Sequence, residues 1–250
     1  MRNIPVTTTM HYPDLIPGGE KANARITGMA FITATVTAII GLTLYDPVIH
    51  EADYLSAAAR HSNQIVLGAV FELILACANI GTGIMLFPHL RKVNQSLGLG
   101  YALFRLLEVV FILIGLLSML SIVSISHDYM NQTGNAVVLQ TNASILKTIH
   151  GWAFVLGPHF MLGINTMIYS ALFYQSALIP KRLALLGTTG AFLILTASLL
   201  EMFSVISTFS IALILMALPI AVYEMILAGW LIRKGFNYEK LNGSQQISHC

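Results

Sequence analysis

LGLGYALFRLLEVVFILIGLLSMLSIVSIS, residues 97–126, decides the fold. Thirty residues pass with two charges, Arg105 and Glu108, and the apolar positions run on without the alternation of a half-buried strand. A helix needs about 20 such residues to cross the hydrocarbon of a bilayer. In lipid the backbone must satisfy its own hydrogen bonds, so spanning segments are helices or closed barrels. An unbroken apolar run is a helix.

Working outward, the same pattern recurs. Spans are expected at about Ile26–Tyr45, stopped by Asp46-Pro47, and at about Ile65–Phe87, ended by Pro88. Beyond residues 97–126 come about Ile149–Leu172, Leu183–Val205 and Ile211–Ile232, the last two joined by a tight turn of Ser204, Ser207, Thr208 and Ser210. The fold class is therefore all-α, a polytopic membrane bundle of six transmembrane helices over residues 24–236. Polar tails, 1–23 and 237–250, flank it. Composition agrees: 56% of the 250 residues are hydrophobic, 10% are charged, and mean hydropathy is +0.76. A soluble domain carries about a quarter charged residues, because it needs a solvated surface.

Charge placement sets the orientation. Arg91-Lys92, Lys181-Arg182 and Arg233-Lys234 recur after every second helix, and Arg2, Lys21, Arg25 and Lys240 lie on the same side. The opposite side holds only Arg60 and Lys147. Lys and Arg collect in cytoplasmic loops, so both termini are expected inside and the longer loops, Asp46–Gln64 and His127–Thr148, outside. The first twenty residues contain no apolar stretch that would serve as a signal peptide. A net charge of +2 gives no reason to expect nucleic acid. Cys77 lies in an apolar run and reads as a packing residue, and Cys250 reads as part of the tail.

Ionisable groups inside spans are expensive, about 2.5–3.5 kcal/mol each at mid-helix. Glu72, Arg105, Glu108, Glu201 and Glu224 pass that filter. Arg105 and Glu108 are three apart and share a helix face. Either they form an ion pair that permits both to be buried, or Arg105 holds an anionic ligand. Four carboxylates against one guanidinium leave about three negative charges to be neutralised, by protons or by a bound cation. The expectation is a polar cavity open to the outside, lined by these groups and by Asn79, one heptad beyond Glu72. The same carboxylates could instead be interhelical hydrogen-bonding glue, Glu201 having Ser198 and Ser204 at i±3.

His159 lies deep in the fourth span in Gly157-Pro-His, where Pro158 frees a carbonyl and kinks the helix. It is either a hydrogen-bonded structural histidine or part of a ligand site. His50, His61, His127 and His150 fall near the outer edge without ligand spacing, so no metal site is expected. No haem or other cofactor is expected either. Nucleophile-elbow, Walker, dinucleotide and HExxH motifs are absent.

Several stretches together resemble a bacterial family of multi-pass membrane proteins catalogued as domain of unknown function 4386. They are Ala24-Arg-Ile-Thr-Gly28, Pro88-His-Leu-Arg-Lys-Val-Asn-Gln-Ser96 and Ala102-Leu-Phe-Arg-Leu-Leu-Glu108. Further matches are Leu156-Gly-Pro-His-Phe-Met-Leu-Gly-Ile-Asn165, Ile179-Pro-Lys-Arg-Leu-Ala-Leu-Leu-Gly187, Leu218-Pro-Ile-Ala-Val-Tyr-Glu224 and Trp230-Leu-Ile-Arg-Lys-Gly235. The resemblance implies a bacterial inner-membrane protein with the same helix count. It also implies that Arg105, Glu108, Asn165 and Glu224 stand at shared positions. It implies no activity. Three classes stay open on the sequence: a binding protein or carrier for a small molecule or cation, a structural or accessory protein in a homo-oligomer or with a partner membrane protein, and an intramembrane enzyme acting on a lipid-like substrate.

Overall fold

The computed structural model of the chain describes residues 19–208 and 210–237. The first eighteen residues and residues 238–250, with Cys250, Arg2 and Lys240, lie outside them, as does Phe209. Every regular element among the described residues is helical. In order they are α1 (Gly19–Leu44), α2 (Asp46–Ile49), α3 (Tyr54–Arg60), α4 (Ser62–Leu90), α5 (Gln95–Met130), α6 (Ala136–Phe154), a π-helical stretch (Val155–Met161), α7 (Leu162–Ser176), α8 (Lys181–Met202) and α9 (Ile211–Arg233). Five of these, α1, α4, α5, α8 and α9, are long and apolar enough to cross a membrane.

The sequence reading errs in four places, each with a local cause. Pro88 does not end α4, which continues to Leu90; a proline one turn from a C-terminus removes only one ladder bond. Where one fourth helix was expected, α6 and α7 are joined through the π-helical stretch containing Pro158. That ring has no N–H and would clash with the carbonyl four residues back, so the coil widens locally. The segments expected as outer loops are largely helical. Asp53 caps α3 by accepting from the Ser56 N–H, and Asn135 caps α6 by accepting from the Val137 N–H. Finally, Cys77 is exposed on the outer face of α4 instead of packed. The turn between α8 and α9 does form, with Ser204 at φ 57°.

The helices close a ring. α1 packs on α4 and α9, α4 on α5, α5 on α6, the π-helical stretch and α7, α7 on α8, and α8 on α9. Small residues set the close approaches, as in membrane bundles generally. A Cβ on Gly28 of α1 would stand 2.7 Å from the Ala228 carbonyl oxygen of α9. One on Gly190 of α8 would stand 2.8 Å from the Ile220 backbone nitrogen.

The two ends of the ring differ. The end that carries Arg25, Arg91, Lys181 and Arg233 is filled by a large apolar core that includes Phe31, Leu90, Tyr101, Tyr169, Phe173 and Tyr223. The other end has a smaller core of Tyr45, Val48, Leu55, Ile65 and Met119 under α2 and α3. Outward faces are largely apolar: Leu117, Phe192 and Ile211 are each more than 60% exposed. Water would not tolerate that surface; lipid does.

Candidate functional site

Between the two cores lies a cavity of about 290 Å³. Its walls are mostly apolar: Ala34, Ala38, Ile39 and Leu42 of α1, Leu75 of α4, Phe111 and Ile112 of α5, Ala153 and Phe154 of α6, Leu162 of α7 and Ala221 of α9. Ile39 is 62% exposed and Ala221 is exposed as well, so the wall reaches the lipid-facing exterior along α1 and α9. These two helices touch at their other ends, where Gly28 meets Ala228 and Ile232.

Six of the eight residues singled out from the sequence line this cavity: Glu72, Asn79, Arg105, Glu108, His159 and Glu224. The other two stand behind it and hold the first set. Asn165 Nδ2 donates to Glu108 Oε2, and Glu201 Oε2 lies 2.7 Å from His159 Nδ1.

Glu108 is saturated. Arg105 Nη1 donates to its Oε2 at 2.9 Å and Asn79 Nδ2 to its Oε1 at 2.9 Å, besides the Asn165 amide. Arg105 is 2% exposed; its Nε donates to Thr82 Oγ1 at 2.9 Å, and Phe31 presents its ring face 5.7 Å from the guanidinium carbon. The pair is neutral as a unit, and three helices supply its hydrogen bonds. Gly157 makes room for this arrangement, since a Cβ there would stand 2.7 Å from Phe111 Cβ and 3.3 Å from the Glu108 carbonyl. Asn79 thus lines the cavity with Glu72, as expected, and its amide is held by Glu108.

Glu72 and Glu224 are provided for differently. Glu72 Oε2 accepts one bond, from the Tyr45 hydroxyl at 3.0 Å. No hydrogen bond or ion pair from the described residues reaches the Glu224 carboxylate, which stands on the cavity wall. Among the ionisable wall residues, three carboxylates therefore face one guanidinium, and that guanidinium is already committed to Glu108.

Glu201 is not tied to Ser198, whose hydroxyl bonds the Leu195 carbonyl of its own helix. It holds His159 instead. His150 also lines the cavity, its Nδ1 3.3 Å from the Gly115 carbonyl and its ring edge-on to Tyr45. Tyr45, Thr82 and His150 are the site residues that sequence reasoning missed. For Tyr45 and Thr82 no signal existed, since nothing in a tyrosine at a helix end or a threonine in a span announces a carboxylate or guanidinium partner. His150 was noticed only as an outer-edge histidine. Among the described residues, no three His, Cys, Asp or Glu side chains are grouped to hold a metal ion.

The arrangement has a sequence-wide counterpart. The family described as "Domain of unknown function (DUF4386)" matches residues 26–235. The chain belongs to that family. The matched region begins in α1 and ends just after α9, so it covers every residue of the cavity and all of the ring but the first turns of α1. No curated protein and no solved structure matches the chain.

Proposed function

We propose that this member of the family is an inner-membrane protein that binds a small, largely apolar molecule with a cationic head, taken up from the lipid. One observation carries the reading. Glu224 stands on the wall of a mostly apolar cavity with no ion pair or hydrogen bond from the described residues, and Glu72 has only a tyrosine hydroxyl. Such carboxylates are costly unless a proton or a cation neutralises them. The apolar walls suit a hydrocarbon body, and the exposed wall residues Ile39 and Ala221 suit entry between α1 and α9. An anion is disfavoured, because Arg105 is already neutralised by Glu108.

The same reading takes the α6–π–α7 segment as the sixth crossing and puts both termini in the cytoplasm. The basic residues gathered at the Arg25, Arg91, Lys181 and Arg233 end support this, with Arg60 and Lys147 alone at the other. The accessory-protein reading, carboxylates as hydrogen-bonding glue, is the weaker one; it calls for every Glu to be partnered and no cavity between the helices.

Thermal unfolding in lipid nanodiscs with three chain-matched probes tests the reading. Octylamine raises Tm, while octanol and octanoate leave it within the solvent control. Glu224→Gln removes the octylamine shift. Equal responses to all three probes, or an octylamine shift retained in the variant, would refute a cationic headgroup site.

A further inference from the structure

His159 and Glu201 form a unit that ligand binding alone does not require. The 2.7 Å contact joins Nδ1 of one to Oε2 of the other, and both side chains are buried, 9% and 2% exposed. A carboxylate only accepts, so in the neutral ring the proton resides on Nδ1 and Nε2 carries a lone pair. Nδ1 is turned to Glu201, and the residue lines the cavity, with no hydrogen bond from the described residues to Nε2. Glu201 Oε1 is buried and unpartnered, so this carboxylate is not spread over other donors.

The local backbone serves the same end. His159 sits inside the π-helical stretch, next to Pro158, and Phe154 packs edge-on against the ring at 4.8 Å between centroids. Single π-helical turns inside α-helices recur at functional sites because they re-aim a side chain that a regular helix would turn elsewhere. A carboxylate behind a histidine fixes the tautomer and the orientation of the ring.

The geometry points to His159 as the group that accepts a hydrogen bond at Nε2 from the ammonium of the cavity's cationic occupant, with Glu201 as its positioning residue. No bond to hydrogen is broken, because an alkylammonium holds its proton far more tightly than an imidazolium does. The positive charge stays on the ligand, opposite Glu72 and Glu224. The other charged or titratable groups of the cavity, Glu72, Arg105, Glu108, His150 and Glu224, belong to α4, α5, α6 and α9. Arg105 is paired with Glu108, so Glu72 and Glu224 are the groups left to draw the ammonium in. This inference rests on the cavity being a cation site, and its test separates the two.

The test is acylation by diethyl pyrocarbonate, whose carbonyl carbon is attacked by the lone pair of a neutral imidazole and which is small and apolar enough to enter from lipid. Modification is mapped by peptide mass, with exposed His50 and His61 as internal references. His159 of the folded wild type reacts. Glu201→Gln slows it about tenfold or more relative to His61, because a glutamine amide can donate to Nδ1 and move the ring proton to Nε2. Glu201→Asp, a second variant in case the first does not fold, slows it less. Octylamine protects His159. An unreactive His159 in the wild type, or a rate indifferent to Glu201, would overturn the proposal. A reactive, Glu201-dependent His159 that octylamine fails to protect would leave the His159–Glu201 pair standing and count against the cation site.

Discussion

Glu108 and Glu224 share one cavity and are built in opposite ways. Glu108 takes hydrogen bonds from α4, α5 and α7 and an ion pair from Arg105, and it is 3% exposed. Glu224 stands on α9 with no such support, and Glu72 resembles it more than it resembles Glu108. Both arrangements place a carboxylate in an apolar setting, where an uncompensated charge is costly. The bundle compensates one internally and leaves the others to something external. Saturation marks what holds the helices together, and under the proposed function its lack marks the carboxylates that a bound cation would meet.

Substitutions can break that contrast, and the largest effects belong to the Glu108 side. Glu108→Ala strands the Arg105 guanidinium and should cost about 3–5 kcal/mol, read as a collapse in folded yield and Tm. The double variant Arg105→Met/Glu108→Leu should be less harmful than either single change, since no charge is orphaned. Asn165→Leu removes one of three donors and should cost about 1–3 kcal/mol. Tyr45→Phe deletes the sole bond to Glu72 and should cost about 1 kcal/mol in thermal unfolding. Glu224→Gln sits at the bottom of the scale, with stability within about 0.5 kcal/mol of wild type or raised. If Glu224→Gln proved as damaging as Glu108→Ala, the contrast between the two carboxylates would be gone.

Much of the architecture could be read from the chain, because lipid constrains it so tightly. Five of the expected spans correspond to helices with ends within a few residues, save for α1, which starts earlier at Gly19. What failed was local. Pro88 looked like a stop and is not one, whereas Pro158 looked like a kink and is the centre of a π-helical stretch. Proline chemistry is the same in both; position in the helix decides the outcome, and position is a tertiary fact. The ionisable residues stood out because charge inside an apolar run is costly to keep. Their pairing did not, since Glu108 with Asn165, Glu201 with His159 and Glu72 with Tyr45 join residues 27 to 57 apart in sequence. That the cavity wall reaches the exterior at Ile39 of α1 and Ala221 of α9 depends on how distant helices meet, which no periodicity encodes.

Native mass spectrometry of the protein released from detergent, beside a Glu72→Gln/Glu224→Gln variant, tests the central claim most directly. The wild type is expected to retain a small basic molecule as a discrete added mass that the variant loses, with the two unfolding at similar temperatures. No added mass on the wild type even when octylamine is supplied, or one retained equally by the variant, would contradict a cation site at these carboxylates.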